Sequence, residues 1–288
     1  MSPGMKNLLC CIDPSVHAAG VSDITAWAAK RLSRGVEVLH IIQRKDAVAA
    51  RKDLSGSIGL GVKTDLLEEL TRIDEAEGMQ AIERGRLLLD AAVKRLREAG
   101  VEDVIRLHRH GPIVETIIER EKDSDLVVIG KHGAASAFAA DHLGSRVERI
   151  VRSSAKPILV APQQFRPPQT AVIAFDGSAL ATRAVDLVER SPLFEGMALH
   201  LVFVVTDDAA RRGKLEKAAK RLGKRASGAT LKTLQGNPET AIGEYLETEP
   251  DSILVMGAYG HSPLRRLIMG STTSAIMRTV REPILLVR

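Results

Sequence analysis

The chain is short of sulfur, of aromatic surface and of long apolar runs, and each shortage removes a class of protein. Only two cysteines occur in 288 residues, Cys10 and Cys11, side by side. With no CxxC pair there is no disulfide framework, cysteine zinc site or thioredoxin-type centre, and alternation along a strand sends the two thiols to opposite faces. Aromatic residues make up 3% of the chain, too few to build stacking platforms for single-stranded nucleic acid. No apolar run approaches the roughly 18 residues of a membrane span. The amino-terminal MSPGMKNLLCCID lacks the charged, apolar and small-residue order of a secretory signal. The expectation is a cytoplasmic protein with no membrane contact.

Catalytic signatures are missing too. No GxxxxGK[ST] P-loop, GxSxG elbow, HExxH helix or SGGxDS nucleotide-transfer motif occurs. The formal charge of +5 is modest and uneven, net +1 through residue 165 and +4 beyond it. Much of the second excess sits in RRGKLEKAAKRLGKR, residues 211–225, which reads as the solvated face of a helix. Polynucleotide binding is therefore disfavoured.

What the chain does contain is a repeat. NLLCCIDPS and TAVIAFDGS are apolar runs that end at Asp13 and Asp176. GPIVETIIEREKDSDLVVIGKHG parallels GNPETAIGEYLETEPDSILVMGAYG, and KPILVAP parallels EPILLVR. Gly144 precedes Pro157 by the same 13 residues that separate Gly270 from Pro283. In each copy, strand-length apolar runs alternate with amphipathic stretches, the pattern of a parallel sheet flanked by helices. In the second copy strands are expected near residues 170–176, 198–205, 229–234, 252–257 and 283–287. The Pro- and Gln-rich APQQFRPPQT marks the boundary, giving domains 1–162 and 170–288 with a linker at 163–169. The first copy carries an insertion, QRKDAVAARKDLSGSIGLGVKTD, before a long helix ending near residue 99. Its SGSIGLG reads as a mobile loop.

The stretch GAYGHSPLRRLIMGSTT, residues 257–273, carries the chemistry. In an open parallel sheet, ligands bind beyond the carboxyl ends of the strands, where neighbouring connections diverge. Gly257 and Gly260 leave the strand with no Cβ to block an approaching ligand. Gly270 is followed by Ser271, Thr272 and Thr273 at the start of a helical segment, so unpaired N–H groups, hydroxyls and the helix dipole converge on one anion site. Either element alone could be a turn or a cap; together, with Asp176 at a neighbouring strand end, they favour a nucleotide.

On these motifs the chain resembles the universal stress protein family in its tandem form. The family's ATP-binding members carry Gly, two residues, Gly, nine residues, then Gly-Ser or Gly-Thr, and Gly257, Gly260, Gly270 and Ser271 follow that spacing. The resemblance covers nearly the whole chain. It implies an α/β fold of two tandem doubly wound domains, each a five-stranded parallel sheet in the order 3-2-1-4-5 flanked by helices, paired along their last strands. It also implies ATP, with magnesium or manganese on the phosphates. Asp176 and Gly177 would then face the adenine and ribose end, with the backbone of Val204 at the base. Met256 and Gly257 would line the ribose and phosphates, and Gly260, Gly270, Ser271, Thr272 and Thr273 would surround the phosphate chain. His261, Arg265 and Arg266 lie in the intervening loop, within reach of phosphates or simply facing solvent.

The first copy departs from the pattern. Ten residues, including Asp141, separate Gly133 from Gly144, and Pro14 stands where the second copy has Gly177. A negative charge beside phosphates and a stiffer turn lacking one N–H imply weak ATP binding or none. His108 and His110 share a strand face, with His132 and His142 in the following loop. They are read as ordinary surface and loop histidines, with a metal site as the lesser alternative. The expected function is an ATP-regulated stress protein with an intramolecular pseudo-dimer and an unidentified protein partner, a further homodimer being left open. The alternatives are a slow ATP hydrolase or nucleotidyl-transferring enzyme, and a nucleotide-free dimerising scaffold.

Overall fold

The computed structural model describes residues 7–43, 60–131, 145–205, 212–258 and 271–288. The first half builds β1 (Asn7–Ile12), α1 (Ala18–Leu32), β2 (Val36–Ile42), α2 (Leu60–Glu98), β3 (Val104–His110), α3 (Ile113–Arg120), β4 (Ser124–Gly130), α4 (Ser145–Ser153) and β5 (Ile158–Ala161). The second repeats the order with β6 (Thr170–Ala174), α5 (Ala179–Arg190), β7 (Ala198–Val205), α6 (Arg212–Arg221), β8 (Thr230–Gln235), α7 (Pro238–Thr248), β9 (Ser252–Gly257), α8 (Ser271–Thr279) and β10 (Ile284–Val287).

All ten strands join one sheet in the order β3-β2-β1-β4-β5-β10-β9-β6-β7-β8, so each half shows the expected 3-2-1-4-5 order. Every pairing within a half is parallel. Both faces are covered, which is why central strands such as β9 are apolar almost throughout instead of alternating. One face packs Cys10, Val38, Ile173 and Leu201 beneath α1, α2, α5 and α6. The other packs Leu9, Val127, Val172 and Leu254 beneath α3, α4, α7 and α8. The adjacent cysteines do point to opposite faces. Burial is the main cause that raises both thiols, Cys10 to about 12 and Cys11 well above its ordinary value, so neither is a ready nucleophile.

The seam between halves is antiparallel. β5 meets β10 with Leu159 opposite Leu285 and Val160 opposite Ile284. Leu159 and Leu285 are equivalent positions of the repeat, counted from Pro157 and Pro283. Glu148 on α4 accepts a 3.1 Å bond from Ser274 on α8, also its own counterpart. A pseudo-twofold axis therefore passes through both pairs. Cations lock the seam from either side: the Lys131 ammonium donates to the carbonyl of Val280, and Arg288 donates to those of Ser154 at 3.1 Å and Arg152 at 2.9 Å. Each thus satisfies carbonyls that the other half's last helix leaves unpaired.

One local expectation fails. α2 begins at Leu60, inside the stretch read as a loop, and runs for 39 residues. The helical residues after Gly61 carry no further glycine until Gly78, so the clustered glycines mark the approach to a helix. The rest of the insertion, residues 44–59, lies outside the described residues.

Candidate functional site

The second half forms a crevice where two adjacent strands send their connections to opposite faces. β6 leads into α5 on one face and β9 into α8 on the other, while the strands pair directly, Ala174 beside Met256. That divergence at the carboxyl ends is the switch point of a doubly wound sheet.

On the β6 side, Asp176 is exposed and its carboxylate accepts a 2.8 Å bond from the backbone N–H of Ser178. Gly177 between them has φ of 81°, a conformation that penalises any Cβ. Ser178 then caps α5 by accepting from Ala181 N–H at 3.1 Å. Asp176 is therefore both an exposed charge at the crevice and the pin of its first turn. Val204, half-buried, sits near the end of β7 beside Leu234 of β8.

On the β9 side, Met256 is buried and Gly257 half-buried. A Cβ on Gly257 would lie 2.7 Å from Leu180 Cβ, 2.8 Å from the Leu180 carbonyl carbon and 2.9 Å from Ala181 N. The first turn of α5 fills the space that the glycine pattern suggested for a ligand. This glycine is demanded by helix-on-strand packing whatever else it does. α8 starts at Ser271, with its amino end at the carboxyl edge of β9 because β10, which follows it, runs parallel to β9. Thr272 is half-buried there. Thr273, expected among the phosphate ligands, is 6% exposed, at the position equivalent to the buried core residue Val147. Gly260, His261, Arg265, Arg266 and Gly270 lie outside the described residues.

Electrostatically the two equivalent helix starts differ. The first turn of α8 carries no acidic residue, whereas that of α4 carries Glu148. A carboxylate at a helix amino end already answers the dipole that an anion would otherwise feel. In the first half Asp13 accepts from Ser15 N–H at 3.3 Å, a longer version of the Asp176 turn. Lys131, the residue after β4, is turned into the seam, and burial there pushes its pKa down to about 8. Sequence reasoning missed this cation, because only the contact between halves reveals where it goes. Residues 132–144, with Asp141, His132 and His142, lie outside the described residues.

His108 and His110 do share a face, their rings stacked at 6.2 Å. Among the described residues no group of three or more His, Cys, Asp or Glu side chains is placed to hold a metal, and no helix is long and apolar enough to cross a membrane.

Comparison with known proteins agrees with this architecture. The model of the universal stress protein family matches residues 4–162 and 204–288. The universal stress protein Slr1230 of Synechocystis is 34% identical over 287 residues, covering 99% of this chain and 100% of that one. A universal stress protein structure from Archaeoglobus fulgidus superposes with a TM-score of 0.69 at 20% identity, covering 98% of this chain and 95% of the other. A protein of unknown function from Pseudomonas aeruginosa superposes at 0.59 with 15% identity, covering 98% and 92%. The order of the strands, the two-fold repeat of the domain and these matches together place the chain in the universal stress protein family, in its tandem form.

Proposed function

We propose that the second half holds ATP in the crevice between β6 and β9, and that the nucleotide acts as a regulatory ligand in a stress response. The observation that carries this reading is the amino end of α8: it opens at the switch point beside Asp176 with no carboxylate in its first turn. The N–H groups of a helix's first turn suit phosphate oxygens, and the spacing of Gly257, Gly260, Gly270 and Ser271 supplies the loop that would wrap them. Exposed Asp176 and Gly177 suit the ribose end, and the Val204 backbone the base. Ser271 and Thr272 offer hydroxyls to the phosphates or to a magnesium or manganese ion on them. Thr273 is left out of this set by its burial.

A bound triphosphate brings its own transferable group, but the described crevice supplies little to use it. The carboxylate at its mouth, Asp176, is tied to the Ser178 N–H and is poorly disposed to orient a water. Binding is thus favoured over turnover, with the protein staying in the cytoplasm and ATP biasing its association with a partner. The test is titration of the full chain with ATP and Mg. One site per chain is expected, lost on Gly270→Val and kept on Gly144→Val. Two equal sites, or binding indifferent to Gly270→Val in a folded protein, would overturn the reading.

A further inference from the structure

Three histidines of the first half meet beneath α2, and nothing in the ATP reading uses them. His40 on β2 stands directly opposite His108 on the neighbouring β3, with ring centres 5.3 Å apart, and His110 stacks beyond. His40 is buried and its Nδ1 is bonded to the carbonyl of Ile12 at 3.1 Å. α2 closes over the pair at Gly85, where a Cβ would lie 2.5 Å from His108 Nε2 and 2.6 Å from His40 Cδ2. His108 Nε2 is buried against this helix backbone with no hydrogen-bond partner.

A neutral imidazole tolerates that position, but an imidazolium there needs an acceptor. Among the described residues around the cluster none is offered. On α2 the residues one turn from Gly85 on its stripe are Ala81, Ile82, Leu88 and Leu89. Glu83 binds Arg86, and Asp90 is shared by Arg86 and Arg106. Glu77 stands two turns nearer the amino end. On β3, Arg106, a permanent cation, and His110 flank His108 on the same face and offer it no acceptor, while Arg109 alternates to the other side. On β2, Glu37 faces away and is paired with Arg120. Burial first, then His40 and His110, hold the His108 ring below its ordinary pKa.

We infer that this cluster is an acid-operated latch: protonation of His108 lifts the amino-terminal part of α2 off β2 and β3. The carboxyl-terminal part stays anchored, because Leu89, Val93 and Leu96 are buried in the core. What swings free is the stretch around Gly85, joined to residues 75–80, which are already exposed. The released chain binds protons at the ordinary value of roughly 6.5, whereas the closed latch binds them only at lower pH. Closure is therefore complete above about pH 6.5 and weakens as the pH falls through it.

Hydrogen exchange of the full chain at about pH 7.5 and 5.5, corrected for intrinsic rates, tests the latch. Protection around residues 78–88 should drop on acidification, by at most about tenfold for one proton at one pH unit below the free value, while residues 92–98 hold. His108→Gln should abolish the pH effect. Unchanged protection in the wild type, or the same loss in folded His108→Gln, overturns the proposal. Should that variant misfold, NMR titration of the wild-type rings decides: His108 must titrate below the ordinary histidine value of roughly 6.5, and titration at or above it sinks the latch.

Discussion

In the first half, Arg120 of α3 reaches Glu37 on β2 at 2.7 Å; in the second, Tyr245 of α7 reaches His200 on β7 at 2.9 Å. Glu37 and His200 hold the same register, opposite Leu9 and Val172, and Arg120 and Tyr245 sit at the same step from their helix starts, Ile113 and Pro238. The fold requires a polar bridge from helix to strand at that point but leaves its chemistry open. One residue further the halves part. Glu121 is buried and accepts from Ala155 N–H at 2.8 Å and from the Ser154 hydroxyl, while its counterpart Leu246 is plain core. The first half has turned Glu37, Glu121 and Lys131 inward to hold structure. The second carries no acidic residue of its own in the first turn of its last helix, which Glu148 reaches only from across the seam at Ser274. The two repeats differ here by a redistribution of charge on a shared frame.

The comparison can be broken most severely at Gly257. Gly257→Val must push against the backbone of Leu180 and Ala181, and should destabilise the second half by about 3 kcal/mol or more. Thermal unfolding should then split into two steps, the first half melting near its original temperature; a single unshifted transition would contradict the packing argument.

A smaller effect sharpens the contrast between the two seam cations. Lys131 is held at about 8 by burial against an unfolded value of 10.5. The unfolded chain keeps a proton that the folded chain has released, so stability attributable to Lys131 rises between those two values. The difference in unfolding free energy between wild type and Lys131→Met should therefore change by about 3 kcal/mol across that window. Arg288→Met should instead cost about 1–2 kcal/mol at every pH, because a guanidinium does not titrate there. Urea unfolding between about pH 7 and 11 checks both.

The smallest effect concerns position 243. Its counterpart Ile118 packs against the core, while Gly243, inside α7, would present a Cβ to open space, with nothing within 4 Å of it. Gly243→Ala should stabilise the protein by about 0.5–1 kcal/mol, read as a higher melting temperature.

The architecture was legible because parallel strands covered on both faces leave short apolar runs, and because the repeat wrote them twice. β6 through β10 lie within a residue or two of the expected spans. The placement of Asp176 with Gly177 and of Met256 with Gly257 at neighbouring strand ends was also legible, since strand ends are. Less could be read where meaning depends on a distant neighbour. A sequence shows that Gly257 lacks a Cβ, not that Leu180 occupies the gap. Ser271, Thr272 and Thr273 form one run of hydroxyls in the sequence, but about 100° of helical rotation separates successive residues and carries Thr273 inward. Lys131 and the Gly85 contact with His108 needed the folded chain.

The antiparallel join of β5 to β10 reaches beyond the seam itself. Since every strand of one half runs against every strand of the other, their carboxyl ends leave the sheet along opposite long borders. A molecule gripping the α2 end and another seated beside α8 would never compete for room. Whatever one tells the other crosses the seam, through the pairing of Leu159 with Leu285 and the contacts of Lys131, Arg288 and Glu148 beside it.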